Sequence, residues 1–423
     1  GAFEVAVLLL GRRVAMVVGA EETGQQFKQR LAVQEGLQGV LRLTVGRDGE
    51  VPDHSLLRTV LWAGAEVYCR TEDLHLYSAS IDCTARAWSI ETGEEIACLQ
   101  HEDNVTAVIA TESTLFTACS GFEARRVTQI MGRYTWWTTT SVLVWNVQAK
   151  EACWEYPQII ERARRQCALA VGPSVVCGGY DDGCFNVKVW DRTTGAPKAS
   201  LVGHTAALMS LALGGDEVAS AAQDATGRLF KLSTGECTAV FVGHSGSVNT
   251  IALTRSHVFT GGADGTVRAW GKRPAGDRAR RVALAATRAE KEPAGPRAPC
   301  LRTYAGHTGG VNAVCVTRRH VFSGSEDATV RMWVMQSGAA VRAFVGHGYR
   351  VNDIKVNNEE SLFSASDDRS IRLWETATGA CVRIFSGHLR EVRAISLSQS
   401  ATDDMTDVET WVDPDDQACC AVM

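Results

Sequence analysis

The chain has 423 residues, 45% of them hydrophobic and 22% charged, with a formal net charge of −5. That composition belongs to an ordinary globular protein. It leaves room for two or three domains and excludes a general electrostatic pull toward nucleic acid. The 14 cysteines are scattered, with only Cys419 and Cys420 adjacent, so they read as small core residues of a reduced, intracellular protein without metal-ligand spacing. No apolar run reaches the roughly 18–20 residues that span a bilayer. The first apolar stretch, 3–10, has no basic residue before it and Arg12 and Arg13 after it, so it reads as a strand and not a signal peptide. The chain opens with Gly1, but the myristoylation pattern fails at Val5 and Ala6.

Residues 1–71 continue as a turn at Gly11-Arg12, a strand over 14–18, and a helix capped by Thr23 that carries Phe27, Leu31 and Val33 and ends at Gly36. A strand follows over 40–45, alternating in Leu41, Leu43 and Val45. A polar turn over 46–49 leads through Leu56-Leu57 to a last strand over 65–70. This order of elements, at about 70 residues, resembles the ubiquitin-like β-grasp. The resemblance implies a small α+β docking module or, by analogy, a proteasome or ubiquitin-system adaptor. The chain runs on past Cys69 with no diglycine, so conjugation is not expected. Arg42 and Thr44 put polar groups where ubiquitin presents an apolar patch.

Beyond residue 71 the chain repeats. Gly-His pairs stand at Gly203-His204, Gly243-His244, Gly306-His307, Gly346-His347 and Gly387-His388, and His101 fits the same frame without the Gly. Four residues after each His comes an apolar residue: Val105, Leu208, Val248, Val311, Val351 and Val392. Further on stand a hydroxyl (Thr117, Ser220, Thr260, Ser323, Ser364), an Asp (Asp224, Asp264, Asp327, Asp368) and an aromatic (Phe230, Trp270, Trp333, Trp374). Spacings of 40 residues from Phe230 to Trp270 and 41 from Trp333 to Trp374 match a four-stranded blade.

Over roughly 74–398 the chain resembles the WD-repeat family, which implies an all-β propeller spanning 72–398. The resemblance also implies that His, Ser/Thr, Asp and Trp form a hydrogen-bonded chain within each blade. Three blades carry the set whole: His244/Thr260/Asp264/Trp270, His307/Ser323/Asp327/Trp333 and His347/Ser364/Asp368/Trp374. A lone Ser, His and Asp would suggest a hydrolase, but a catalyst needs one site and a framework needs many. Ser78, Asp82 and Trp88 lack a His upstream, while His388 starts a blade that ends after one strand, 391–398. The two halves are expected to join, and the marks at 88, 145, 190, 230, 270, 333 and 374 then count seven blades. Blades 2 to 4 depart from the pattern. Trp145 has no Asp six residues before it, Trp190-Asp191 has no His and displaced Asp181 and Asp182, and Phe230 cannot donate. That irregular side is the expected place for binding. An alternative makes 40–71 an eighth, degenerate blade supported by Trp411.

Two insertions and a tail complete the chain. The first, 121–140, holds Arg125, Arg126, Arg133, Tyr134, Trp136 and Trp137, the residue types of interface hot spots; the two Trp equally suit packing on their own blade. The second, 271–299, includes Arg273, Arg280 and Arg281, and reads as a solvated basic loop or as a contact for an acidic surface such as tubulin, nucleic acid or anionic lipid. The tail, 399–423, is acidic and is expected to be flexible. It ends Cys420-Ala421-Val422-Met423, a C-a-a-X box that favours farnesylation of Cys420, with Cys419 as a palmitoylation candidate; one lipid gives only a weak membrane tether.

With no phosphate loop, metal cluster or isolated nucleophile, an enzyme, a metal site and a cofactor are not expected. The reading is a cytoplasmic protein–protein scaffold, a monomer or part of a larger complex. Alternatives are a ciliary, cytoskeletal or ribosome-associated component, and a ubiquitin-ligase substrate receptor. For the last, the docking mark is displaced, since Trp190-Asp191-Arg192-Thr193 puts the Arg one place early.

Overall fold

The computed structural model describes residues 3–9, 12–18, 26–27, 30, 40–45, 49–50, 66–72, 75–111, 114–121, 139–146, 151–161, 168–172, 174–178, 185–192, 194, 196–272, 295–357 and 359–398. The chain divides into two compact units, Gly1–His75 and Leu76–Met423. No helix among the described residues is long and apolar enough to cross a membrane.

In the first unit β1 (Phe3–Leu9), β2 (Arg12–Val18), β3 (Val40–Val45), β4 (Gly49–Glu50) and β5 (Glu66–Glu72) form one sheet in the order β2-β1-β5-β3-β4. β1 and β5 pair in parallel, and the other pairs are antiparallel. Gln26, Phe27 and Arg30 are helical; Phe27 is buried, with the Arg30 guanidinium 5.3 Å from its ring centroid. Gly49, expected at the end of a turn, is instead a strand residue: Gly49 and Glu50 pair with Val45 and Thr44 at the free edge of β3. The last strand is also longer than expected, since Val40 and Leu41 of β3 pair as far as Glu72 and Thr71. Thr23, Leu31, Val33, Gly36, Leu56 and Leu57 lie outside the described residues.

In the second unit the described strands form four-stranded antiparallel sheets, numbered here by chain position. Sheet 1 orders Val392–Leu397, His75–Ser80, Thr84–Ser89 and Glu95–Gln100, so the last strand of the chain is its first. Sheet 2 holds Asn104–Ala110, Thr114–Gly121, Thr139–Asn146 and Glu151–Glu161; sheet 3 holds Ala168–Val171, Ser174–Gly178, Phe185–Asp191 and Pro197–His204. Sheet 4 is Leu208–Gly214, Glu217–Ala222, Thr226–Lys231 and Cys237–Val242, and sheet 5 is Val248–Leu253, His257–Gly262, Thr266–Gly271 and Cys300–Ala305. Sheet 6 is Val311–Val316, His320–Ser325, Thr329–Val334 and Ala340–Val345; sheet 7 is Val351–Asn357, Ser361–Ser366, Ser370–Glu375 and Cys381–Ser386. The first strand of each sheet packs on the first strand of the next, and Val392–Leu397 packs on both Val351–Asn357 and Asn104–Ala110.

The sequence explains how closely neighbouring sheets pack. Second strands are rich in Ser, Ala and Gly and are buried on both faces, as in His320–Ser325. A Cβ on Gly261 would stand 2.6 Å from Val311 Cγ1, so only glycine lets the neighbouring sheet come this close. In sheets 5 to 7 the fourth strands bury one anchor each, Tyr304, Phe344 or Phe385. In sheet 5 the chain returning from the insertion runs beside the outer strand of sheet 4. The Val240 amide donates to the Pro296 carbonyl at 2.7 Å, and the Ala298 amide to the Val240 carbonyl at 3.0 Å. Lys272, at the other end of that insertion, pairs with Glu217 at 2.5 Å.

Candidate functional site

The buried polar sets come first, because they hold the surface turns in place. In sheet 1 the Trp88 indole N–H donates to Ser78 Oγ at 2.8 Å, Ser78 Oγ lies 2.7 Å from His388 Nε2, and His388 Nδ1 lies 2.9 Å from Asp82 Oδ2. In sheet 5 Trp270 donates to Thr260 at 2.8 Å, and His244 reaches Thr260 at 2.8 Å and Asp264 at 2.9 Å. Sheets 6 and 7 repeat this with Trp333, Ser323, His307 and Asp327, and with Trp374, Ser364, His347 and Asp368. All polar groups are satisfied with a neutral imidazole: Trp donates to the hydroxyl, the hydroxyl to Nε2, and Nδ1–H to the carboxylate. Burial lowers the pKa values of His244, His307 and His388, against the pull of their carboxylates. Burial alone would raise the Asp82 carboxyl, but bonds from Thr84, the Leu389 amide and His388 outweigh it and hold it at about 2.

Ser78, Thr260, Ser323 and Ser364 are each 0% exposed, so no substrate reaches these hydroxyls. In sheet 4 His204 bonds Ser220 and Asp224, while buried Phe230 fills the Trp position without donating. In sheet 2 His101 reaches Thr117 at 2.9 Å, and its Nδ1 turns to the Leu99 carbonyl at 3.1 Å. A main-chain oxygen thus takes the carboxylate's place. Sequence reasoning also missed a fifth member. Thr84, Thr226, Thr266, Thr329 and Ser370, each two residues after an Asp, donate to its Oδ1 at 2.6–2.7 Å. That spacing was there to be read. The motif glycine has a steric reason: a Cβ on Gly243 would meet Arg268 at 2.8 Å and Trp270 at 3.1 Å.

Each set pins two turns, one after the His and one after the Asp. In sheets 4 to 6 those turns carry small residues: Ala206, Gly246 and Gly309 two after the His, and Ala225, Gly265 and Ala328 one after the Asp. Where sheet 7 meets sheet 1 they do not. Tyr349 stands two after His347, and Leu389 stands one after His388, where sheets 4 to 6 have Thr205, Ser245 and Thr308; the two are 67% and 74% exposed. Arg369 follows Asp368 with φ +70°, the left-handed conformation that Cys83, Ala225 and Ala328 share at the equivalent turn position. Tyr349, Asp367, Asp368, Arg369, Leu389, Arg390 and Glu391 line an open pocket of about 830 Å³.

Its carboxylates are largely engaged. Asp367 accepts from Arg350 Nε at 2.5 Å and from Asn352 Nδ2 at 2.7 Å, with Arg393 at 3.5 Å; Asp368 serves His347 and Ser370. Arg369 and Arg390 have no carboxylate partner among the described residues. This site was not singled out from the sequence, where departures were sought in the framework positions and not in the turns between them. Of the partner-binding candidates named there, Arg125, Arg126, Arg133, Tyr134, Trp136, Trp137, Arg273, Arg280 and Arg281 lie outside the described residues, as do Cys419 and Cys420.

Three segments, 235–271, 298–334 and 338–375, match the family model of the WD domain, G-beta repeat. The chain carries WD40 repeats. It is 27% identical over 164 residues to the rice (Oryza sativa subsp. japonica) zinc finger CCCH domain-containing protein 17, a match covering 38% of this chain and 32% of that protein. It is 49% identical over 51 residues to a probable E3 ubiquitin ligase complex SCF subunit sconB from Aspergillus oryzae and from Aspergillus flavus, covering 12% of this chain and 7% of each subunit. The matches thus span a third or less of these relatives' lengths. Among solved structures, the computationally designed Ika8 protein superposes with a TM-score of 0.55 at 24% identity, over 77% of this chain and 87% of that one. That likeness speaks for the fold alone.

Proposed function

We propose that this chain is a non-catalytic protein–protein interaction scaffold, built on a seven-bladed propeller over 72–398 and docking partners at the turns of sheets 7 and 1. The carrying observation is the pocket between those sheets, where exposed Tyr349 and Leu389 replace the small residues of sheets 4 to 6. Exposed apolar side chains next to Arg on rigidly held turns are what an interface anchor needs. The succession of four-stranded sheets supports the propeller count, and the order β2-β1-β5-β3-β4 with its parallel pair supports a ubiquitin-like β-grasp module over 1–71. The test is affinity purification of the full chain with crosslinking mass spectrometry, beside Tyr349→Ala/Leu389→Ala. Partners crosslinked near residues 349 and 389 and lost in the double variant are the expected result. A folded double variant with an unchanged partner set would sink the proposal.

A second reading, a substrate receptor of a ubiquitin ligase, is favoured by the likeness to relatives whose names place them in SCF complexes. Cullin subunits in the same purification would support it, and their absence under proteasome inhibition would count against it.

A further inference from the structure

We propose that the pocket between sheets 7 and 1 takes an acidic linear segment of a partner protein, one that presents an apolar side chain between Asp or Glu residues. The inference rests on the scaffold reading and adds the chemistry of the partner.

The repeat supplies its own control. Turns in equivalent positions are held by the same bonds in sheets 4, 5 and 6, yet carry Ala, Gly, Ser or Thr there. Around this pocket they carry Gly348-Tyr349-Arg350, Leu389-Arg390-Glu391 and Arg369 instead. The framework bonds do not require those side chains, since the small residues serve elsewhere. Arg369 takes the left-handed turn position that Cys83, Ala225 and Ala328 take in other sheets, so the backbone there does not call for a long charged side chain.

The charges then select the ligand. Arg350 and Arg393 are occupied by Asp367, and Glu391 also acts on Arg393. Arg369 and Arg390 are exposed, line the pocket and have no carboxylate partner among the described residues. Each offers a planar fork matched to one carboxylate. Asp367, Asp368 and Glu391 share the pocket, so a dianionic phosphate meets more repulsion than separate single carboxylates do. Tyr349 and Leu389 offer apolar contact in the same pocket. An apolar residue flanked by carboxylates satisfies both kinds of group at once.

The test is fluorescence anisotropy with the full-length protein and three labelled synthetic peptides. One has a central Trp between Asp and Glu residues, the second replaces every Asp and Glu by Asn and Gln, and the third replaces them by phosphoserine. The acidic peptide should bind, and should weaken about tenfold or more as salt rises from about 50 to about 500 mM. Arg369→Glu/Arg390→Glu should also weaken it about tenfold or more, and Tyr349→Ala/Leu389→Ala to a similar degree, with unchanged melting temperatures. Equal binding of the amide peptide, tighter binding of the phosphoserine peptide, or indifference to the Arg reversal overturns the proposal. Partner loss on Tyr349→Ala/Leu389→Ala without any effect of Arg reversal would leave the scaffold and remove only the acidic segment.

Discussion

Ser323 accepts the Trp333 indole proton and serves His307 in a site no water reaches. A buried aromatic of this size contributes about 4–6 kcal/mol by area, as an upper bound, while one hydrogen bond nets about 1 kcal/mol. Burial therefore dominates the stability, and the hydrogen bonds matter because leaving them unmade is costly. Ser323→Ala should cost about 2–4 kcal/mol in urea unfolding, since it strands both the indole and the imidazole. Combined with Trp333→Phe, the loss should be clearly less than additive; full additivity would show that the set does not act as a unit.

The same groups set the response to acid. His101, His244, His307 and His388 have folded pKa values below the usual 6.5, His101 at about 4, so their contribution is complete above pH 6.5 and is lost as pH falls toward 4. The carboxylates of Asp82, Asp224 and Asp327, held at about 2, contribute above about 3.8 and lose that contribution on further acidification. The melting temperature should fall in two stages, the first between pH 6.5 and 4. His101→Leu should flatten that first stage; a slope equal to wild type would disprove the assignment. The His, hydroxyl, Asp and Trp positions could be read from the sequence because their side chains carry the pattern. The Leu99 carbonyl that serves His101 could not, because every residue has one.

At the scale of elements, what holds neighbouring sheets together is small size near the middle and arginine at the rim. Gly261 and Gly324 stand where a Cβ would meet Val311 and Val351 of the next sheet at 2.6 and 2.7 Å. Gly324→Ala should cost about 1–3 kcal/mol by overpacking, read as a lower urea midpoint at constant slope. At the rim, Arg302 donates to the Ser337 carbonyl, Arg342 to those of Ala377 and Thr378, and Arg383 to those of Ile90 and Glu91. Each tie runs from an outer strand to a turn of the next sheet. The strands themselves were legible from alternation and turn residues, and the last was placed within a residue at each end. The pairing of Val240 with Pro296 and Ala298 was not, because no period announces two hydrogen bonds made by a chain returning from an insertion.

At the scale of the whole molecule, the seam between sheets 7 and 1 is bonded along its inner strands. Asn352 donates to the Val392 carbonyl at 2.7 Å, the Ile395 amide donates to Asp353 at 2.9 Å, and Arg393 meets Asp367. The preceding seam, between sheets 6 and 7, has the matching bond from Asn312 to the Val351 carbonyl at 3.1 Å. A chain ending at residue 390 loses the first strand of sheet 1 and bares the inner strands on either side. It should be recovered aggregated or protease-sensitive, whereas a soluble product with the wild-type melting temperature would show that the seam is dispensable. The sequence foretold this joining, since neither end of the chain holds a complete set alone.

The bond between Ser78 and His388 spans 310 residues, which has a consequence for how the protein is made. At about 5–20 residues per second, the ribosome needs roughly 15–60 s to deliver His388 after Ser78 has been synthesised. Over that interval the three early strands of sheet 1 have no first strand, and Leu76 cannot yet meet Ile395 of that strand. Every other four-stranded sheet among the described residues is built from consecutive strands and can fold as it is made. The slow step in the birth of this molecule is therefore a wait, and the strand that carries Ser78 is the one a chaperone has most reason to hold.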